Sequence, residues 1–332
     1  MSGTEGSWQG QVHRIIAGLE DGRARIDRGA VRNLVNTYAV RSLAGTALRF
    51  SLPVFLPAPA GASGRGADGA AGILIEAIKA AVPVERDLGP IAGAGTEHPR
   101  HSLPNVEPVT LIASGSAIGT DLWWPNAGNR IDGDGLRLVV RGALPYPGPP
   151  TPGAVRGVAE CFAALLDALD RVVRRVPGRD LAAARDLSVD QKELRRALPG
   201  MGLVAFVADG TRPARRFTDL RCHHRIAGPK EGVHIPFSCP RELDPVEVEL
   251  AGSGRTVTGL GVRRREVFAV AGSNAEGKST FLHALIAGED DHAAGDGREG
   301  LVSVNGIARA EAGERYLAGA DVSLFFSRLP PG

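Results

Sequence analysis

The chain has 332 residues, 43% of them hydrophobic and 23% charged, enough for two domains with hydrophobic cores and in the ordinary balance of a globular protein. A net charge of +2 leaves the field of the whole molecule neutral toward nucleic acid, and the absence of any apolar run of about eighteen or more residues excludes a membrane-spanning helix. The N-terminus lacks the basic and apolar regions of a signal peptide, and three irregularly spaced cysteines (Cys161, Cys222, Cys239) argue against a disulfide framework and for a reducing cytoplasm.

Taken in chain order, Val12, Ile15, Ile16 and Leu19 share one helical face. LPAPAGASGRGADGAAG reads as a loop of small residues, and Gly72 to Val82 as a short helix. Strands are expected at Val109 to Gly115 and Gly135 to Leu144, with turn chemistry in NRIDGDG between them. LPYPGPPTPG holds five prolines in ten residues and marks a linker, so a domain boundary is expected there. Beyond it, Val155, Val158, Phe162, Leu165, Leu169, Val172 and Val173 recur at helical spacing, and Cys161 is expected to be buried with them. Ser188 and Gln191 read as a capping box that opens a further helix. GLVAFVADG suits a strand buried on both faces, VEVELAGSGRTVTGLGV two strands around a Gly-Ser-Gly turn, and Val267 to Ala271 another buried strand.

That last run leads into GSNAEGKST, which matches G-x-x-x-x-G-K-S/T at every fixed position, with the apolar positions Phe281, Leu282, Leu285 and Ile286 of a helix after it. Gly272 and Gly277 remove the Cβ atoms that would keep the backbone N–H groups away from an anion. Ser273, Asn274, Ala275, Glu276 and Thr280 complete the cradle; Lys278 supplies a cation for the β- and γ-phosphates, and the Ser279 hydroxyl is placed to ligand Mg²⁺. ATP and Mg²⁺ are therefore the expected cofactors.

Asn274 and Thr280 give this loop a resemblance to those of ABC-type ATPases, with Ala275 where transporter domains carry Gly. LVAFVADG, IPFSCP, TVTGLGV, GDGRE and ADVSLFFSRLPPG, in that order, resemble the "ATPase of the ABC class" family, non-transporter P-loop proteins, from about Pro199 to the end and more weakly back to about Arg141. The resemblance implies an ATPase whose Walker B and signature segments lie beyond the part of the family that this chain spans. Between Thr280 and Gly332 neither Asp290 to His292 nor Gly319 to Asp321 follows an apolar strand, so hydrolysis by this chain alone is not expected. Phe162 to Asp167 mimics a Walker B run but lies in the amphipathic helix. LSVDQ mimics a signature, but Val189 and Asp190 stand where the glycines should be.

Other groups carry weaker signals. Cys222, His223, His224, His234 and Cys239 lack the tight pairing of a structural zinc site and read as an incidental His-containing loop. Arg212, Arg215, Arg216, Arg221, Arg225 and Lys230 form a basic segment that reads as a solvated loop, with a nucleic-acid backbone as the alternative partner. Phe237 reads as core or as an adenine-stacking ring, Asp296 as a turn residue, Arg298 as a nucleotide or structural contact paired locally with Glu299, and Trp123-Trp124 as an apolar anchor. Glu276 is expected to face solvent.

The expected fold class is α/β: an N-terminal mixed α/β domain over 1–147, then an incomplete ABC-type P-loop nucleotide-binding domain over 148–332 with its P-loop portion at 246–332. The expected partners are ATP and either a second copy or a chain supplying the other ATPase half. Nucleic acid is the alternative, no membrane is involved, and the cytoplasm is the expected location.

Overall fold

The structure, a computed structural model, describes residues 38–41, 47–91, 129–133, 135–145, 151–216, 227–230, 232, 234–271 and 276–307. The segments Val12 to Leu19, Val109 to Gly115, Trp123-Trp124 and Gly319 to Asp321 lie outside them. Among the described residues the strands form two four-stranded antiparallel sheets, and helices accompany both, a mixed α/β architecture.

In the first sheet β1 (Tyr38–Arg41), β2 (Ala47–Pro57), β3 (Arg130–Asp132) and β4 (Gly135–Pro145) lie in the order β1-β2-β4-β3. Strand alternation puts Val54 opposite Leu138 and Leu56 opposite Leu136, all four buried. Phe55 points the other way and is covered by the guanidinium of its cross-strand partner Arg137, 5.1 Å above the ring. Part of NRIDGDG is thus strand β3, and the reversal to β4 turns through Gly133.

Helices α1 (Ala67–Ala81) and α2 (Pro152–Arg175) pack in the same core as this sheet. On α2 the predicted stripe from Val155 to Val173 is buried, Thr151 Oγ1 accepts the Ala154 N–H at 3.2 Å, and Arg174 and Arg175 occupy the last turn, where cations suit the helix dipole. Cys161 is exposed, not buried: it borders the stripe on its solvent side. The proline-rich segment therefore joins β4 to a helix of the same core.

Helix α1 begins at Ala67, inside the stretch that reads as loop. Its glycines serve close packing. A Cβ on Gly69 would stand 2.1 Å from the Ala184 carbonyl oxygen of α3 (Gly178–Ala197), so only glycine lets these two helices touch at the backbone.

The second sheet has β5 (Leu203–Ala208), β6 (Val246–Glu249), β7 (Thr256–Arg263) and β8 (Leu301–Ser303) in the order β6-β7-β5-β8. As its apolar run predicts, β5 is buried on both faces. Leu203, Phe206 and Ala208 pack with Leu194 and Leu198 at the C-terminal end of α3, and Ala205 and Val207 pack with Ala284 and Leu285 of α4 (Lys278–Ala287). The expected buried strand from Val267 to Ala271 is not formed. These residues run outside the sheet, with Val267 98% and Phe268 43% exposed, because β5 and β7 already take one another as ladder partners and no described strand pairs with the run.

The capping-box reading of Ser188 and Gln191 is also overturned. Helix α3 continues through both, and both are buried. They belong to a polar face. Gln191 exchanges two hydrogen bonds with the His292 backbone, donating from Nε2 to O (2.8 Å) and accepting from N at Oε1 (2.6 Å). Asp190 Oδ1 accepts the N–H groups of Gly252 (2.6 Å) and Ser253 (2.9 Å), which holds the β6–β7 turn. Lys192 bridges Asp68 of α1 and Asp291. Arg195 donates to Asp291 Oδ1 (2.8 Å) and to the carbonyls of Gly288, Asp290 and Ser303 (3.0–3.2 Å).

Replacing Asp190 by Ala strands two backbone donors at the α3 surface. Stability should fall by about 1–3 kcal/mol in denaturant unfolding, and Asp190→Asn, which keeps an accepting oxygen, should lose less. Equal stability of both variants and the parent would show that the turn needs no such bracing.

Candidate functional site

Helix α4 starts at Lys278. Gly277, which precedes it, has φ +87°, a left-handed conformation that costs glycine little and other residues much. Its N-cap residue is a glycine with no side chain to cap it and no acidic residue occupies its first turn, so the N–H groups of this helix end present positive potential beside Glu276. Gly272, Ser273, Asn274 and Ala275 lie outside the described residues. Of the other predicted cradle residues, Glu276 and Ser279 are exposed, and Lys278 and Thr280 are half-buried.

Gly277, Lys278 and Thr280 open onto a cavity of about 640 Å³. Its other walls are Pro213 to Arg215, Lys230, the stretch His234 to Phe237, Val270-Ala271 and Phe281. Glu276 is the one carboxylate among the described residues that line it. Phe237 stacks on Phe281 with ring centroids 6.1 Å apart and also lines the cavity, so it serves the core while presenting an edge to the site.

Beneath this wall lies a buried ion pair. Arg215 Nη2 donates to Asp296 Oδ2 at 2.6 Å, with side chains 2% and 6% exposed. His292 Nδ1 stands 2.8 Å from the same oxygen, and its Nε2 stands 3.0 Å from the Ala287 carbonyl oxygen at the end of α4. Arg298 is fully buried nearby and acts on Asp296 electrostatically. Burial alone would raise the pKa of the Asp296 carboxyl. The His292 ring and the Arg215 and Arg298 guanidiniums outweigh that and hold it below the ordinary carboxylate value. Asp296 is thus more than the turn residue expected, although Gly295 and Gly297 on either side do have positive φ. Glu299 closes the turn by accepting the Gly295 N–H.

The remaining candidates fall elsewhere. Asp167 of the mock Walker B run is exposed on α2 while Phe162 and Leu165 face the first core. Asp190 of the mock signature braces the Gly252-Ser253 turn. Cys222, His223, His224, Arg221 and Arg225 lie outside the described residues; Cys239 is buried, and burial, then Asp209, raises its thiol pKa. Arg215 is interior, contrary to the solvated-loop expectation. Residue types in sequence gave no sign that Arg215 and Asp296, far apart in the chain, would meet. The signal present was only that GDG supplies two glycines able to turn a buried carboxylate inward.

Comparison with known proteins gives two findings. Residues 177–332 match the sequence model of the ABC_ATPase family, described as a P-loop domain. Over 267 residues the chain is 38% identical to "Uncharacterized protein MJ1628" of Methanocaldococcus jannaschii, an alignment covering 80% of this chain and 57% of that protein. The chain thus spans little more than half the length of this relative. No described helix is long and apolar enough to cross a membrane.

Asp296→Asn should destabilise by about 3–5 kcal/mol, since it leaves the interior Arg215 beside a neutral amide. A carboxyl whose folded pKa is depressed contributes stability that is present above its unfolded pKa and lost as pH falls through the lower folded value. The variant's stability should therefore fall less than the parent's between pH 5 and the acid limit. Parallel acid profiles in chemical unfolding would remove Asp296 as the acid-sensitive group.

Proposed function

We propose that this chain, whose residues 177–332 match the ABC_ATPase P-loop family, binds ATP with Mg²⁺ through Gly272 to Thr280. The observation that carries the reading is the N-terminus of α4, opened by Gly277 in the left-handed region, with no acidic residue in its first turn and facing a cavity large enough for a nucleotide. Lys278 would neutralise the β- and γ-phosphates and the N–H groups of the helix start would hold their oxygens. Ser279, exposed beside Lys278, would hold a Mg²⁺ ion through its hydroxyl, and that ion would supply positive charge against the phosphates.

Hydrolysis needs a group that positions water, and Glu276 is the one described carboxylate of the cavity. We assign water positioning and the cap on the γ-phosphate to parts of the family that residues 177–332 do not span, whether in the same polypeptide or in another. The exposed apolar run of Val267 and Phe268 beside the phosphate loop is consistent with such an addition. We draw the domain division after α2, near Val176-Pro177, instead of at 147/148, because α2 shares the first core and the family match begins at residue 177. Cytoplasmic location rests on the cysteine usage alone.

Calorimetric titration of ATP/Mg²⁺ should show binding that Lys278→Ala weakens by tenfold or more, on the order expected for a lost charge-assisted phosphate contact. Equal affinities would sink the reading, and steady ATP turnover by residues 1–332 alone would refute the assignment of water positioning to residues outside this span.

A further inference from the structure

The basic segment around 212–230 has a defined place. Residues 214–216 and 228–230 run antiparallel as a narrow ribbon: Arg216 N donates to Gly228 O (3.0 Å), Lys230 N to Ala214 O (3.2 Å), and Arg216 Nε to Pro229 O (3.1 Å). The ribbon is pinned at its root. Arg212 N donates to Gly297 O at 2.6 Å, the Arg215 guanidinium is held by Asp296, and the adjoining Phe237 N donates to Thr211 O at 2.7 Å. These three buried or backbone anchors fix the rotation of a strand pair that would otherwise stand on the surface.

What this ribbon presents to the cavity is Lys230, from a segment separate from that of Lys278. Among the charged groups of the described residues lining the space, Arg215 is balanced by Asp296 and Glu276 opposes one lysine, which leaves a net positive wall beside the positive end of α4. Resting on the nucleotide-binding reading above, we propose that Lys230 is a second polyphosphate-binding residue of this site, with the Arg215–Asp296 pair as the anchor that positions it. The ribbon then belongs to the mononucleotide site, and the ligand it favours is a nucleoside triphosphate over a monophosphate, since each added phosphate brings negative charge to two lysines from two different segments.

The test is titration of the full chain with ATP, ADP, AMP and adenosine, in parent, Lys230→Gln, Lys278→Ala and Arg156→Gln, the last removing a charge from the exposed side of α2. Lys230 is exposed, so its replacement leaves the fold intact, and thermal unfolding checks that. Expected is a loss of about tenfold for ATP with Lys230→Gln, shrinking through ADP to little for AMP and none for adenosine. The salt dependence of ATP affinity should become shallower and Arg156→Gln should match the parent. Parent-like ATP affinity in Lys230→Gln, while Lys278→Ala still weakens it, overturns the role of Lys230 alone. So does an equal loss for all four ligands, which would place Lys230 at the base or ribose. A parent that binds no ATP overturns both this proposal and the reading on which it rests.

Discussion

A guanidinium that is only 11% exposed is tolerable in a protein interior when its donors are spent, and Arg195 spends them on four oxygens: one carboxylate and three carbonyls. Two of those carbonyls, Gly288 and Asp290, directly follow the helix that begins at Lys278, and the third belongs to β8. The end of the phosphate-loop helix, an edge strand and α3 are thereby fixed to one side chain. Lys192, one turn earlier on α3, extends the same bond set to Asp68 on α1. The first core and the P-loop domain meet along this polar face, and breaking either cation from Asp291 would leave a carboxylate that is 3% exposed with one charge partner instead of two.

Around that face the P-loop domain is layered simply. The four-stranded sheet has α3 on one side and α4 on the other, with β5 supplying alternate residues to both. The cavity proposed for the nucleotide lies on the α4 side, walled by residues carried on the loops that leave β5 and enter α4. Its wall is held by interior contacts, Arg215 to Asp296 and Phe237 to Phe281, so the groups that would touch a ligand stand on positions set by packing.

Periodicity foretold the elements whose environment is one-sided. The stripe on α2, the doubly buried β5 and the β6–β7 pair all follow from apolar spacing, and the helix after the phosphate loop follows from its motif. Reading failed where a residue serves a distant partner. Gly66, Gly69 and their neighbours look like loop because composition cannot announce that α3 will pass at backbone distance. Ser188 and Gln191 fit a capping box, yet polar residues inside a helix are equally at home when another segment accepts them, and that segment lies about a hundred residues on. Val267 to Ala271 has the apolarity of a buried strand, but burial needs a ladder partner and local sequence does not show whether one is present. In the site, Lys278 and Gly277 were legible because the motif is local; Arg215, Asp296 and Lys230 were not, because their roles arise from a ribbon closed by nonlocal hydrogen bonds.

Gln191 adds a different kind of joint to the charged ones beside it. Its amide exchanges one donor and one acceptor with the backbone of His292, so it behaves as a peptide group lent by a helix to the loop after α4. An amide has no titrating proton and is not screened by ions. Raising ionic strength weakens the partly exposed Lys192–Asp68 pair while leaving this pairing as it was. Register between α3 and the loop after α4 is thus set by a neutral contact, and the surrounding charges regulate only how firmly the two are held.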